Sequence, residues 1–163
     1  MPLPFDEPGV TSPPQLGRGV EVAFVVYGKP VQKGSVRAFV ARKKGEVGGR
    51  AIVVQQNDRS LRDWEGAIRQ AAQRYAATGF FLHEKEAVEI EFWFYFTRPQ
   101  SKSKAAPMVV KPDYDKLARA VSDAIQTVLF KDDCQITDAA IHKRYVNDSA
   151  SHVKVVVRRA HAT

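Results

Sequence analysis

Residues Lys111–Ile136 read KPDYDKLARAVSDAIQTVLFKDDCQI. Two acidic pairs, Asp113/Asp115 and Asp132/Asp133, flank a run in which Leu117, Ala120, Val121, Ala124, Ile125 and Val128 recur every three or four residues. That period is the buried stripe of an α-helix and predicts one over Tyr114–Leu129. Asp115, Arg119 and Asp123 are spaced by four and make a polar row on the same helix. Phe130–Asp133 turns the chain, and Ile136–Val146 reads as a returning strand that carries His142, Lys143 and Arg144.

Working outward, Val88–Phe96 (VEIEFWFYF) alternates Val88, Ile90, Phe92, Phe94 and Phe96 with Glu89, Glu91, Trp93 and Tyr95. Strict alternation marks a strand with one face in the core, central to a sheet. A helix covering the second face accounts for Trp93 and Tyr95 more simply than base stacking does. Upstream, Leu61, Trp64, Ile68, Ala71, Ala72 and Tyr75 predict a helix over Ser60–Ala77, capped by Ser60 and stopped by Gly79. Val20–Tyr27 and Ala51–Gln55 are β-branched strands, and Val153–Arg158 is a last one. Between the first two lies Val31–Arg50, a basic hairpin or loop. Thr97–Lys111 loses all periodicity and reads as a mobile basic loop directly before Asp113. The expectation is a single α/β (α+β) domain over residues 20–159, a mixed β-sheet with two main helices, and the acidic pairs meeting at one end of the sheet. Residues 1–19, with five prolines, read as a flexible extension, and 160–163 as a frayed tail.

Composition narrows the function classes. With 163 residues and 44% hydrophobic content the chain supports a real core. Lys and Arg total 25 against 18 Asp and Glu, so the charge of +7 favours polyanionic partners without selecting one. The single cysteine, Cys134, excludes an intrachain disulfide and a cysteine-cluster zinc site. No apolar run approaches the roughly 18 residues of a membrane span, and the first residues show neither the basic start nor the apolar segment expected of a secretory signal. A soluble cytoplasmic protein with no membrane partner is expected.

In so basic a chain, clustered carboxylates call for a cation or an ion pair. An EF-hand is excluded, because Leu117 and Ala118 stand where an oxygen ligand and a glycine belong. An aspartyl phosphatase lacks its hydroxyl residue after the pair. The PD…(D/E)-x-K nuclease pattern meets Gln135 where it needs lysine. A nucleotide-sugar transferase with a metal-binding D-x-D stays open, although 163 residues without a recognisable glycine loop suit it poorly. What stays open is a metal site or ordinary helix capping, since an Asp at a helix start satisfies free N–H groups. Lys116 at the third position after Asp113 rules out a capping box there.

The strings Pro112-Asp113-Tyr114-Asp115-Lys116-Leu117, Asp123-Ala124 and Asp132-Asp133-Cys134-Gln135-Ile136 resemble the RusA family of Holliday-junction resolvases, whose pattern is roughly PDxDNLxKxxxDAL…DDxQI. Gly28–Gly34 (GKPVQKG) is similar to the start of phage-type members. The resemblance implies a Mg²⁺-dependent endodeoxyribonuclease, Mn²⁺ being possible, that acts as a homodimer on four-way DNA junctions in a bacterial host or a phage. By position it makes Asp113, Asp115 and Asp133 catalytic, metal-binding carboxylates, with Arg119 beside them. Asp132 then reads as a turn residue or a partner that orients Asp133, and Asp123 as a helix-surface residue or a supporting member of the acidic row. Lys29, Lys33, Arg37, Arg42, Lys43, Lys44, Arg98, Lys102, Lys104, Lys111, Lys116, Lys143 and Arg144 are the expected DNA contacts. Two positions depart from the pattern: Lys116 replaces an asparagine and Arg119 a lysine. Arg119 supplies charge to a phosphate but no proton, its pKa lying above about 12. A catalytically weakened junction-binding protein of the same fold is therefore the alternative.

Overall fold

A computed structural model describes residues 21–34, 36–41, 50–55 and 58–160, with 36–41, 50–55 and 58 described by their backbone alone. The expected extension 1–19 lies outside the described residues, as do the last three of the chain. The elements run β1 Glu21–Tyr27, β2 Val36–Ala41, β3 Arg50–Gln55, α1 Asp58–Ala76, β4 Val88–Thr97, α2 Tyr114–Ile125, a 3₁₀ turn Asp133–Gln135, β5 Ile136–Val146 and β6 His152–Arg159. One sheet holds β1, β6, β4 and β5 in that order. β5 runs parallel to β4, and the other pairs are antiparallel. This is the expected α+β domain with a mixed sheet and two helices. The basic Val31–Arg50 stretch contributes β2, which pairs antiparallel with β3 in a separate two-stranded sheet.

The alternation of β4 decides where the core lies. Its residues Val88, Ile90, Phe92, Phe94 and Phe96 are buried, and their neighbours are half-buried. Phe92 and Phe94 are completely enclosed. Full burial of such a ring stabilises the fold by about 1.5–3 kcal/mol. β1 adds Val22, Phe24 and Val26 to this face, and β6 adds Val153, Val155 and Val157. Both helices close over it. α1 brings Leu61, Trp64, Ile68, Ala72 and Tyr75, and α2 brings Leu117, Val121, Ala124 and Ile125. α1 begins at Asp58, so Ser60 sits inside the first turn and does not cap the helix. Trp64 presses on Gly28, where φ is 135° and an added Cβ would meet the indole at 3.3 Å. Glycine is required there on both counts.

α2 stops four residues before the predicted end. Gln126 leaves helical geometry at ψ 143°, and Thr127 takes φ 65°. The apolar period continues because Val128, Leu129 and Phe130 fill the core from a turn, with Phe130 bridged to Leu82. Periodicity reports burial, and a tight turn buries side chains as a helix does.

The second face of the sheet also differs from expectation. Among the described residues no helix covers Trp93 and Tyr95. Their rings stack on each other and on histidines from the neighbouring strands: Trp93 on His142 at 3.8 Å and Tyr95 on His152 at 4.6 Å between centroids. Tyr27 continues the ladder at 5.3 Å from His152, and the Arg144 guanidinium lies over Trp93. Cross-strand ring stacking does the shielding that the sequence reading assigned to a helix.

Candidate active site

The chain enters α2 through Lys111–Pro112, a cis peptide, and Asp113 stands at the N-cap with extended backbone, φ −72° and ψ 135°. Its carboxylate makes no cap hydrogen bond, although the position is a cap. Three fastenings hold this corner. Gln32 Oε1 accepts the Asp113 N–H at 2.7 Å. Lys143 Nζ, from β5, donates to the carbonyls of Val110 (2.6 Å) and Pro112 (2.8 Å). The Lys33 N–H reaches the Lys116 carbonyl at 3.1 Å. The Asp113 carboxylate meets Lys116 Nζ at 3.2 Å. Asp115, two residues on, is exposed and makes no hydrogen bond or ion pair among the described residues. Arg119 is exposed one turn further, and the two do not pair. A cleft of about 560 Å³ opens beside the corner, with Lys29, Gln32, Met108, Lys111, Pro112 and Tyr145 in its walls.

Asp123 is engaged in an ion pair with Lys33, which also lies 3.4 Å from Glu65 on α1. Burial lowers the Lys33 pKa, but the hydrogen bonds and charges of Asp123 and Glu65 outweigh it and leave the ammonium raised. Lys33 therefore ties α1 to α2.

The second acidic pair stands at the far end of α2. A helix of 12 residues spans about 18 Å. Moreover, Lys143, which touches the Asp113 corner, lies seven residues along β5 from Ile136, about 23 Å. Among the described residues no three acidic, histidine or cysteine side chains come together as a metal site. The expected meeting of the two pairs does not occur within one chain, because α2 carries the backbone away from Asp113 and β5 carries it back only after Asp133. At this end Asp132 caps the 3₁₀ turn, and its side chain accepts the Cys134 N–H at 3.1 Å. That hydrogen bond first, and then one with Asp133, hold its carboxyl below the ordinary range. The Cys134 side chain also engages the Asp132 carboxylate, and that interaction pushes the thiol up. Asp133 is exposed.

Gln135 holds the turn together. It is 6% exposed; its Oε1 accepts the N–H groups of Lys131 (2.9 Å) and Asp132 (2.8 Å). Its Nε2 donates to the carbonyls of His83 (2.6 Å) and Glu86 (3.0 Å). The sequence signal was present: a glutamine three residues after an aspartate is a capping box.

A match to the family model described as endodeoxyribonuclease RusA spans residues 28–158. The chain is a member of the RusA family. It is also similar to the uncharacterized protein YqaN of Bacillus subtilis (strain 168), with 27% identity over 157 residues, covering 86% of this chain and 98% of that one. The family is one of endodeoxyribonucleases.

For a RusA-family protein the remaining basic residues are distributed unevenly. Lys29 and Lys111 line the cleft. Lys102 and Lys104 are exposed on the loop before it. That loop is fastened by Arg98, which donates to Asn147 (2.6 Å) and to the carbonyls of Ser103 and Ala106, and lies over Tyr145. Arg98 thus organises the segment expected to be mobile. Lys143 and Arg144 point to opposite faces of the sheet. Arg37 lies on β2, and Arg42, Lys43 and Lys44 lie outside the described residues. Gln32 and the tethering role of Lys143 were missed by sequence reasoning. No helix of the described residues is long and apolar enough to cross a membrane.

Proposed function

We propose that this RusA-family chain is a divalent-metal-dependent, structure-selective endodeoxyribonuclease that resolves four-way or branched DNA by paired phosphodiester hydrolysis, in recombination and repair. The observation that carries this reading is the Asp113/Asp115 pair, placed at a helix start, unused as a cap and set beside a cleft lined by Lys29 and Lys111. The donor set fits Mg²⁺, or Mn²⁺, through two carboxylates, because Mg²⁺ takes hard oxygen ligands and retains waters. When bound, such an ion supplies polarisation of a phosphate oxygen and acidification of water. The protein's own residues do the rest. Lys29 and Lys111 hold the DNA backbone by charge. Gln32 and Lys143 fix the backbone on either side of Asp113. Arg119 supplies a permanent positive charge near the phosphate and transfers no proton. Acting as a homodimer in the cytoplasm of a bacterial or phage-infected host, two such sites would cut opposing strands.

One observation favours a second reading, a junction-binding protein that does not cut: Lys116, in place of asparagine, pairs with Asp113. The test is a synthetic four-way junction incubated with Mg²⁺, Mn²⁺ or EDTA. Metal-dependent paired nicks are expected. Equal cutting in EDTA sinks the mechanism, and tight binding without cutting in either metal selects the second reading.

A further inference from the structure

The cleft beside Asp113 is built unlike a groove that only holds a phosphate chain. Its buried lining is apolar: Pro30 and Phe96 are enclosed, and Met108 and Tyr145 are half-buried. Its exposed lining carries the cations Lys29 and Lys111. Apolar walls inside and positive charge outside suit an amphipathic ligand, a flat apolar body with an anionic end. The volume, about 560 Å³, is that of a small-molecule site. One wall is prepared for stacking. The Arg98 guanidinium lies over the Tyr145 ring, 5.0 Å from its centroid, and is itself held by Asn147 and the carbonyls of Ser103 and Ala106. Tyr145 is thus pinned before any ligand arrives, which lowers the cost of binding.

Gln32 connects this cleft to the carboxylates. Its Oε1 accepts the Asp113 N–H at 2.7 Å. Only the carbonyl end of an amide accepts, so that bond fixes which way the side chain is turned. It leaves Nε2, a donor with two hydrogens, without a partner among the described residues. Gln32 lines the cleft, as does Pro112, the residue before Asp113. We propose that the cleft takes one unpaired nucleobase of the DNA strand, stacked on Tyr145 and hydrogen-bonded from Gln32 Nε2 to a carbonyl oxygen or ring nitrogen, with the flanking phosphates on Lys29 and Lys111. The proposal deepens the nuclease reading above and rests on it for the link to cutting. A base within a duplex must be unstacked and unpaired to enter such a pocket, and a base already unpaired at a branch enters at the least cost. Gln32 then acts as a positioning residue: a base that holds Nε2 steadies the amide whose Oε1 holds the Asp113 backbone. Branched DNA is thereby told from duplex by the base it offers.

The test removes one base at a time. Four-way junctions carrying a single abasic site, with every phosphate retained, are scanned across the branch and into the arms, and binding to the full-length protein is measured in EDTA. At one position beside the branch, base removal is expected to weaken binding about tenfold, the size of one base–aromatic stack. In the arms it has no effect. Tyr145→Leu weakens binding to the intact junction by the same factor and to that abasic junction no further, whereas Tyr145→Phe, which keeps the ring, binds as wild type does. Cutting in Mg²⁺ then reads the glutamine. Gln32→Glu keeps an acceptor for the Asp113 N–H but loses the donor, so it cuts the intact junction about tenfold more slowly than wild type, and this deficit disappears on the abasic junction. Wild-type binding that is indifferent to base removal at every position overturns the proposal without any variant. So does a Tyr145→Leu loss that adds in full to that of base removal. An equal Gln32→Glu deficit on both junctions overturns the link through Gln32. A protein that shows the coupled loss in EDTA but cuts with neither Mg²⁺ nor Mn²⁺ refutes the nuclease reading and leaves the base pocket standing. One that cuts junctions and responds to no abasic site refutes the pocket and leaves the nuclease reading standing.

Discussion

At the start of α2, Asp113 and Asp115 carry carboxylates that no helix N–H engages, and the backbone beneath them is held by Gln32 and Lys143. At the other end of the same helix, Asp132 is engaged by the Cys134 N–H, and the turn is locked by a buried glutamine. In sequence the two pairs look alike. In three dimensions one has oxygens available to a ligand, and the other has one aspartate folded into the scaffold and one, Asp133, left facing solvent. The difference teaches that an acidic pair is read by what its oxygens already accept. Exposed carboxylates that decline an available cap are candidates for chemistry, whereas those that accept it maintain a turn.

The sharpest break in this comparison is Asp115→Asn. It removes one of the two available carboxylates while leaving shape and helix propensity nearly unchanged. Junction cleavage is expected to fall by about 10³-fold, the several kcal/mol that metal-assisted stabilisation supplies. The urea midpoint should not move, because Asp115 has no partner among the described residues. Retained cleavage would make the pair at the α2 start no more functional than a cap.

The opposite signature is expected at the other end. Gln135→Leu keeps the volume but leaves the N–H groups of Lys131 and Asp132 and the carbonyls of His83 and Glu86 without partners. Unmade buried hydrogen bonds cost about 1–3 kcal/mol each, so a loss on the order of 3 kcal/mol is expected after relaxation. Urea unfolding measures it as a lower midpoint at constant slope. A change below about 0.5 kcal/mol, the usual range for surface substitutions, would show that the turn does not depend on the glutamine.

How much of this was legible follows the same division. The period of Leu117–Ile125 and the alternation of Val88–Phe96 announce α2 and β4 because burial is a local pattern along each element. The helix end was misplaced because Leu129 and Phe130 are buried, and Val128 half-buried, from a turn, which periodicity does not distinguish. The helix expected over Trp93 and Tyr95 was an inference from side-chain type, and stacked His142 and His152 lie 49 and 57 residues away from those rings. The distance between the acidic pairs was hidden for a related reason. Asp133 lies eighteen positions after Asp115, and only the straightness of α2 says that the intervening chain separates the carboxylates in space as well. Gln32, 81 residues from Asp113, left no local trace beyond its place in the Gly28–Gly34 string.

Lys143→Met probes the scaffold under Asp113 and Asp115. The variant keeps the apolar stem but loses the two donors to the Val110 and Pro112 carbonyls. Misplacing a reacting group by about 1 Å costs up to 10²-fold, and with Gln32 still bonding the Asp113 N–H, a fall of about tenfold in cleavage is expected. Lys143→Arg, which retains donors, should recover part of it. If both variants cut as well as wild type, the tether does not position the site.

The smallest expected effect lies at the fastened end and is read by pH. The Cys134 N–H, with Asp133, favours the ionised form of Asp132 and lowers its folded pKa from the ordinary 3.8. A depressed carboxyl stabilises the fold at pH values above its unfolded pKa, and that contribution fades as pH falls through the folded one. Asp132→Asn imitates the protonated side chain. Its melting temperature should therefore lie slightly below that of wild type at pH 7 and converge with it as the pH is taken below 3.8. Parallel melting curves for Asp132→Asn and wild type from pH 7 to pH 2 would mean that its cap is made equally well by a neutral oxygen, and the contrast between the two ends of α2 would then rest on Gln135 alone.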